Sequence, residues 1–209
     1  MNVHTKTARI VGVLFIAATA TVILSGPFVS SLDAPDYLVD IAANQDQVLM
    51  GMLIQMIWAF AVIGISVVLF PILKEHSETL ALGFFSARLV EGVFSIAFII
   101  CQLALLTLSQ TYVAAGAQDA AYYQAAGTLM RAARDWAFEM GPGIVFTLSA
   151  LILNYALYTS RLVPRWLSGW GLVGALLMLA SYLLKFFGVN LPEVLFVPIA
   201  LQEMVFAVW

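Results

Sequence analysis

Charge is what this sequence has least of. Lys, Arg, Asp and Glu make up 10% of its 209 residues, against about 25% in a soluble domain. A chain with so little charge cannot dress a globular surface for water. Its net charge is −3 with no basic run, which excludes a nucleic-acid partner. Cysteine is nearly absent too. Cys101 stands alone, so no intramolecular disulfide forms, and without a second thiol or a nearby histidine it makes a poor metal ligand. A small buried hydrophobe is its natural role. The two histidines, His4 and His76, both fall outside the apolar runs. That argues against haem, a zinc hydrolase centre or a histidine proton relay. No Ser/His/Asp set suggests itself, and no cofactor is expected.

What the chain has instead is oil. It is 63% hydrophobic, with a mean hydropathy of +0.99, the composition of an integral membrane protein. Six apolar segments stand out: residues 8–28, 48–73, 80–108, 136–158 with a polar lead-in from Thr128, 166–187, and 192–209. A helix needs about 20 apolar residues to cross the hydrocarbon. The expected fold is therefore all-α: a polytopic bundle of six transmembrane helices forming one domain over 1–209. The last segment is short and stops without a polar or basic flank, as if its helix were cut short. Lys6 and Arg9 before an apolar stretch imitate a signal peptide. The small residues "AATAT" lie inside that stretch rather than after it, so a retained helix is expected.

Orientation follows the distribution of cations. An N-terminus in the cytoplasm places Lys6, Arg9, Lys74, Arg161 and Arg165 inside. The loop carrying Asp33, Asp36, Asp40 and Asp46, without Lys or Arg, then lies outside. Arg131, Arg134 and Lys185 dissent from the rule. The expected location is the inner (plasma) membrane, with lipids as partners and a homo-oligomer possible. In "DAPDYLVDIAANQ", Asp33 and Pro35 resemble a helix start. Tyr37, Leu38 and Ile41 then share one face, giving a short helix along the outer surface or an ordered acidic loop. "AGAQDAAYYQAAG", residues 115–127, offers a second such helix.

Two motifs imitate phosphate binders. "GWGLVG", Gly169 to Gly174, has dinucleotide spacing but opens a membrane helix rather than following a strand. Close helix packing through small residues, extended by Ala175 and Ser181, explains it better. "GPG", Gly141 to Gly143, marks a kink, because Pro142 removes a backbone bond.

Against this background, the intramembrane charges matter most. Arg88 and Glu91 sit in "SARLVEG", with Glu91 about 18 Å along the helix from Thr79. Spacing of three puts both on one face, continued by Ser95, Gln102 and Ser109. In "MRAARDWAFEMGPG", Arg131, Asp135 and Glu139 follow at spacing four, with Arg134 to one side. "LQEM" adds Gln202 and Glu203, the latter about 15 Å from Pro192. Gln55 lies on the same side of its helix as Trp58. A charge at mid-membrane costs about 2.5–3.5 kcal/mol on insertion scales, so mutual pairing is expected, above all of Arg88 with Glu91 and Glu203. The expectation is one polar cavity among the third, fourth and sixth segments, with the second contributing and the mouth outward.

Three readings of that cavity stay open. It binds or moves a small amphipathic molecule, a lipid or a proton, Arg88 anchoring an anion or neutralising the acids and Glu91 and Glu203 holding a cation or proton. It is an enzyme site for a lipid-like substrate, with two carboxylates as acid and base. Or the charges serve packing alone.

Several stretches also carry a family resemblance: "ILSGP", "PDYL", "IAANQDQVL", "ARLVEG", "RDWAF", "SRLVPRWLSGWGLVGA" and "PIALQEM". In this order, over nearly the whole chain, the sequence resembles the bacterial and archaeal membrane proteins of domain-of-unknown-function family 4386. The resemblance implies a multi-helix inner-membrane protein whose last helix continues a little further. It implies no activity, substrate or catalytic residue. The similar segments contain Arg88, Glu91, Arg134, Asp135, Gln202 and Glu203.

Overall fold

The computed structural model of the chain describes residues 3–116 and 119–209. Among these residues the fold is helical throughout, with no strand. The reason is the sequence pattern: long apolar runs in which every backbone polar group must find its partner within its own segment. The helices are α1 (Val3–Ser25), α2 (Tyr37–Ala43), α3 (Gln45–Lys74), α4 (Glu78–Ala114), α5 (Ala120–Phe138), α6 (Phe146–Ser160), α7 (Arg165–Lys185) and α8 (Val197–Val208). A 3-10 helix, Gly26–Asp33, extends α1, and another, Glu193–Phe196, leads into α8.

Among the described residues, five stretches are long and apolar enough to cross a membrane: Lys6–Asp33, Gln45–Lys74, Glu78–Ala114, Ala120–Ser160 and Arg165–Lys185. Their outward faces are apolar; Leu53, Phe60, Val93 and Val173, for instance, are exposed. The protein is thus a multi-helix membrane protein. The sixth expected segment is a 3-10 turn followed by the 12-residue α8, shorter than a full crossing needs.

Three expectations require correction. Residues 115–127 do not form a separate surface helix. From Ala120 the chain enters α5, which continues through a π-helical turn into α6 as one stretch to Ser160; residues 117 and 118 lie outside those described. "AAYYQAA" contains no helix breaker, so nothing ends the helix before the apolar region begins. The fourth segment accordingly starts well before Trp136. The third correction, that the charges do not share one cavity, follows below. The acidic loop does contain a short helix, α2, with Tyr37, Leu38 and Ile41 buried. They pack with Leu32, Leu105 and Leu106 beneath the loop.

The centre of the bundle is α4. It packs against α2, α3, α5, the π turn and α6, while α1 bridges α3 and α8, and α7 bridges α6 and α8. The α4 stripe of Arg88, Glu91, Ser95, Gln102 and Ser109 is buried along its length. "GPG" lies within the π turn Glu139–Val145, the kind of bulge that the missing proline N–H favours. It brings the chain close to α4, since a Cβ on Gly141 would strike Phe94 and come within 3.4 Å of the Glu91 carbonyl.

Candidate functional site

Arg88 and Glu91 are the most deeply buried charges among the described residues, each 2% exposed. One turn of α4 separates them, which lets the guanidinium fold back onto the carboxylate. Nη1 donates to Glu91 Oε2 at 3.1 Å and to Oε1 at 3.3 Å. Nη2 donates to Glu203 Oε1 on α8 at 3.4 Å. Three rings surround the guanidinium, Phe146, Phe84 and Phe15, with centroids 5.1, 5.6 and 5.8 Å from Cζ. Such contacts offset part of the lost hydration. The remaining donor, Nε, is buried without a partner.

Two carboxylates therefore share one guanidinium. They are not equivalent, because the Glu203 side chain is 18% exposed and that of Glu91 3%. Glu203 faces a cleft of about 230 Å³, walled by Phe15, Trp58, Val62, Phe146 and Met178 as well as the charged triad. On α1 its rim is Val22 and Ile23, both exposed. The cleft thus opens on the apolar flank of the bundle.

The other predicted charges are elsewhere. Arg134 is 8% exposed; it donates from Nε to Asp135 Oδ1 at 2.9 Å and from Nη2 to Asp33 Oδ1 at 2.6 Å. Arg131 approaches the same Asp33 oxygen at 3.6 Å and lies over the Tyr37 ring. Glu139 pairs with Lys185 of α7. Asp33, Gln102, Arg134, Asp135, Phe138, Glu139 and Lys185 border a vestibule of about 330 Å³ at the Asp33 end of the bundle. Between vestibule and cleft stands an aromatic septum. Phe138 packs on Phe98 at 5.4 Å and on Trp58 at 6.4 Å between centroids.

So the single expected cavity is two. Glu139 belongs with Arg134 and Asp135 in the vestibule, not with Arg88, Glu91 and Glu203. Helical spacing put Arg131, Asp135 and Glu139 on one face, but in the structure Arg131 reaches Asp33 and Glu139, the first residue of the π turn, reaches Lys185. Gln202 donates to Asn154 Oδ1 on α6 at 3.1 Å, outside the cleft. Gln55 is buried, its Oε1 without a partner, and it borders neither cavity.

Sequence reasoning did not single out Asp33 or Lys185 as site residues, nor the three rings around Arg88. The signal for Lys185 was its exception to the positive-inside pattern. A lone cation there needed an acid, but the sequence did not say which, and the structure supplies Glu139. No such signal existed for Phe15, which lies 73 positions from Arg88.

No curated protein and no solved structure matches the chain. A family model does, over residues 10–209, and with nearly the whole length covered the chain belongs to the family described as Domain of unknown function (DUF4386).

Proposed function

We propose that this is an inner-membrane protein, N-terminus in the cytoplasm, that binds a small amphipathic cation in the cleft bounded by Arg88, Glu91 and Glu203. The observation that carries this reading is the unequal sharing of one guanidinium by two carboxylates. Both Nη groups of Arg88 are engaged and aromatic rings surround it. Its one unpartnered donor, Nε, is a single buried N–H, and with both Nη groups on carboxylates the guanidinium acts as an internal counter-ion. Of the two acids, only Glu203 is partly open, and the walls beside it are apolar. A positive head against Glu203, with an apolar body along Trp58, Val62 and Met178, satisfies both the charge and the surface. Entry from the flank suits a molecule that partitions into lipid first.

A bonded carboxylate pair on one arginine gives no group an evident role as a general acid or base. The enzyme reading therefore has no observation in its favour.

The test uses the purified protein in phosphatidylcholine nanodiscs and the fluorescent amine dansylcadaverine, with its uncharged N-acetyl derivative as control. The amine should bind at least tenfold more tightly than the acetylated compound, and Glu203→Gln should remove that preference. Equal binding of the two compounds, or none of either, would overturn the reading.

A further inference from the structure

Two buried amide oxygens stand at the septum between cleft and vestibule. Gln102 is 1% exposed and Gln55 6%, and the Oε1 of each has no hydrogen-bond partner among the described residues. Gln102 borders the vestibule, one turn of α4 beyond the septum ring Phe98. Gln55 is one turn of α3 before Trp58, which belongs to the septum and borders the cleft. Its neighbours on that helix face, Met52 and Ala59, cluster with Ile99 of α4, so Gln55 lies at a level between Ser95 and Gln102. Ser95, also buried, continues the line to Glu91, and its Oγ donates to the Glu91 carbonyl at 2.9 Å. Along α4, Ser95 is about 6 Å from Glu91, and Gln102 is about 10 Å farther. Gln55 divides the longer interval. Buried oxygens spaced in this way are satisfied by bridging waters.

The inner end of this line carries an unbalanced charge. The ionisable groups bordering the cleft are Arg88, Glu91 and Glu203, one cation against two acids. The other elements around Glu91 contribute uncharged walls: Phe15 from α1, Trp58 from α3, Pro142 from the π turn, Phe146 from α6 and Met178 from α7. The charges of α5, the π turn and α7 are engaged at the vestibule end, Arg131 and Arg134 with Asp33, Arg134 also with Asp135, and Glu139 with Lys185. A net negative charge at this depth is costly. Either a proton or a bound cation cancels it.

We propose that the triad exchanges a proton for the cation that the cleft binds, and that the proton travels between Glu91 and the vestibule over waters held by Ser95, Gln55 and Gln102. The proposal rests on the cation reading of the cleft and adds its coupling. In the empty cleft Arg88 balances Glu203, and Glu91 holds a proton on a carboxyl oxygen. When a cation seats against Glu203, it relieves the guanidinium of that acid. The Glu91 O–H bond then breaks, its electron pair stays on the carboxylate, and the proton leaves along the waters. Arg88 now balances Glu91, so the site is neutral before and after. A ligand needs a gap between Trp58, Phe98 and Phe138 to cross the septum, whereas a proton needs only single waters beside them.

The experiment uses the full chain in phosphatidylcholine nanodiscs and the N,N,N-trimethyl derivative of dansylcadaverine. This probe is a permanent cation, so any proton released comes from the protein. Its fluorescence reads binding, and a pH-indicator dye in weakly buffered solution reads protons, both by stopped flow. About one proton should appear per probe bound. Glu91→Gln should release none and should bind the probe at least tenfold more weakly, because its site is already neutral. Gln55→Leu and Gln102→Leu should keep the affinity and the proton count but slow the release at least tenfold. Neither change removes a partner from the Oε1 atom it deletes, and melting curves establish that each variant is folded. Probe binding without proton release overturns the exchange and leaves the cleft reading intact. Failure of the probe to bind overturns the cleft reading and the exchange with it. Release at the unaltered rate in both glutamine variants overturns the path, for the proton then leaves by the open side of Glu203. Loss of affinity in a folded glutamine variant also overturns the path, since that residue then serves the cleft itself.

Discussion

Arg88 on α4 and Glu203 on α8 meet across 115 positions of sequence, Nη2 to Oε1 at 3.4 Å. The contact ties the short last helix to the centre of the bundle, where α8 otherwise packs on α1, α7 and the 3-10 turn before it. It also sets a charge balance that mutation can disturb in a defined order. Arg88→Leu leaves the buried Glu91 and the partly open Glu203 without a cation and should cost about 3–5 kcal/mol if they stay ionised. Arg88→Leu with Glu203→Leu leaves only Glu91 unbalanced and should be the more stable of the two. Denaturation in detergent measures both, and additive damage in the double variant would show that the residues are not coupled.

The Asp33 end is held differently. Arg134 is buried, but its two acids are more than half exposed. Asp33→Asn therefore leaves Arg134 bonded to Asp135 and should cost about 1 kcal/mol or less. Arg134→Met removes the cation serving both and should cost about 1–3 kcal/mol. Its signature is faster amide exchange over residues 26–44, because Asp33 fastens that segment to α5. Exchange that changes only within α5 would deny the fastening role.

Much of this architecture was legible in the sequence because membrane helices obey a local rule. A span must be long, apolar and internally bonded, and residues 48–73, 80–108 and 166–187 announce themselves on that basis alone. The buried stripe of α4 was legible as well, from the spacing of Arg88, Glu91, Ser95, Gln102 and Ser109. What helical spacing cannot give is side-chain reach. Glu139 pairs with Lys185, and Arg134, one position from Asp135, reaches Asp33 rather than the triad. The length of α5 was hidden for another reason. Its first half is alanine-rich and polar, so a hydropathy reading stops where the helix does not.

The glycines of "GWGLVG" should separate by contact rather than by motif. A Cβ on Gly174 would lie 2.8 Å from the Ile199 backbone nitrogen and 3.0 Å from its Cα. Backbone cannot yield as a side-chain tip does, so Gly174→Ala should push α8 away at a cost of about 1–3 kcal/mol. Gly169, with nothing within 4 Å, should accept alanine with no loss and a gain of up to about 1 kcal/mol in helix propensity. Melting temperatures of the two variants measure the contrast. Equal behaviour would mean that the approach of α7 to α8 is not tight.

Orientation can be read from two cysteines introduced after Cys101→Ala. Asp36 is exposed at the acidic end, and Glu75 is exposed at the other, between α3 and α4. Ser77 is the poorer choice there, because its side chain accepts from the Leu80 N–H and caps α4. With Lys6, Arg9, Lys74, Arg161 and Arg165 in the cytoplasm, an impermeant maleimide should label Asp36→Cys in intact cells and Glu75→Cys only after the membrane is opened. The reverse pattern would invert the protein. It would also place the vestibule, and the Arg134–Asp33 pair that borders it, on the cytoplasmic side.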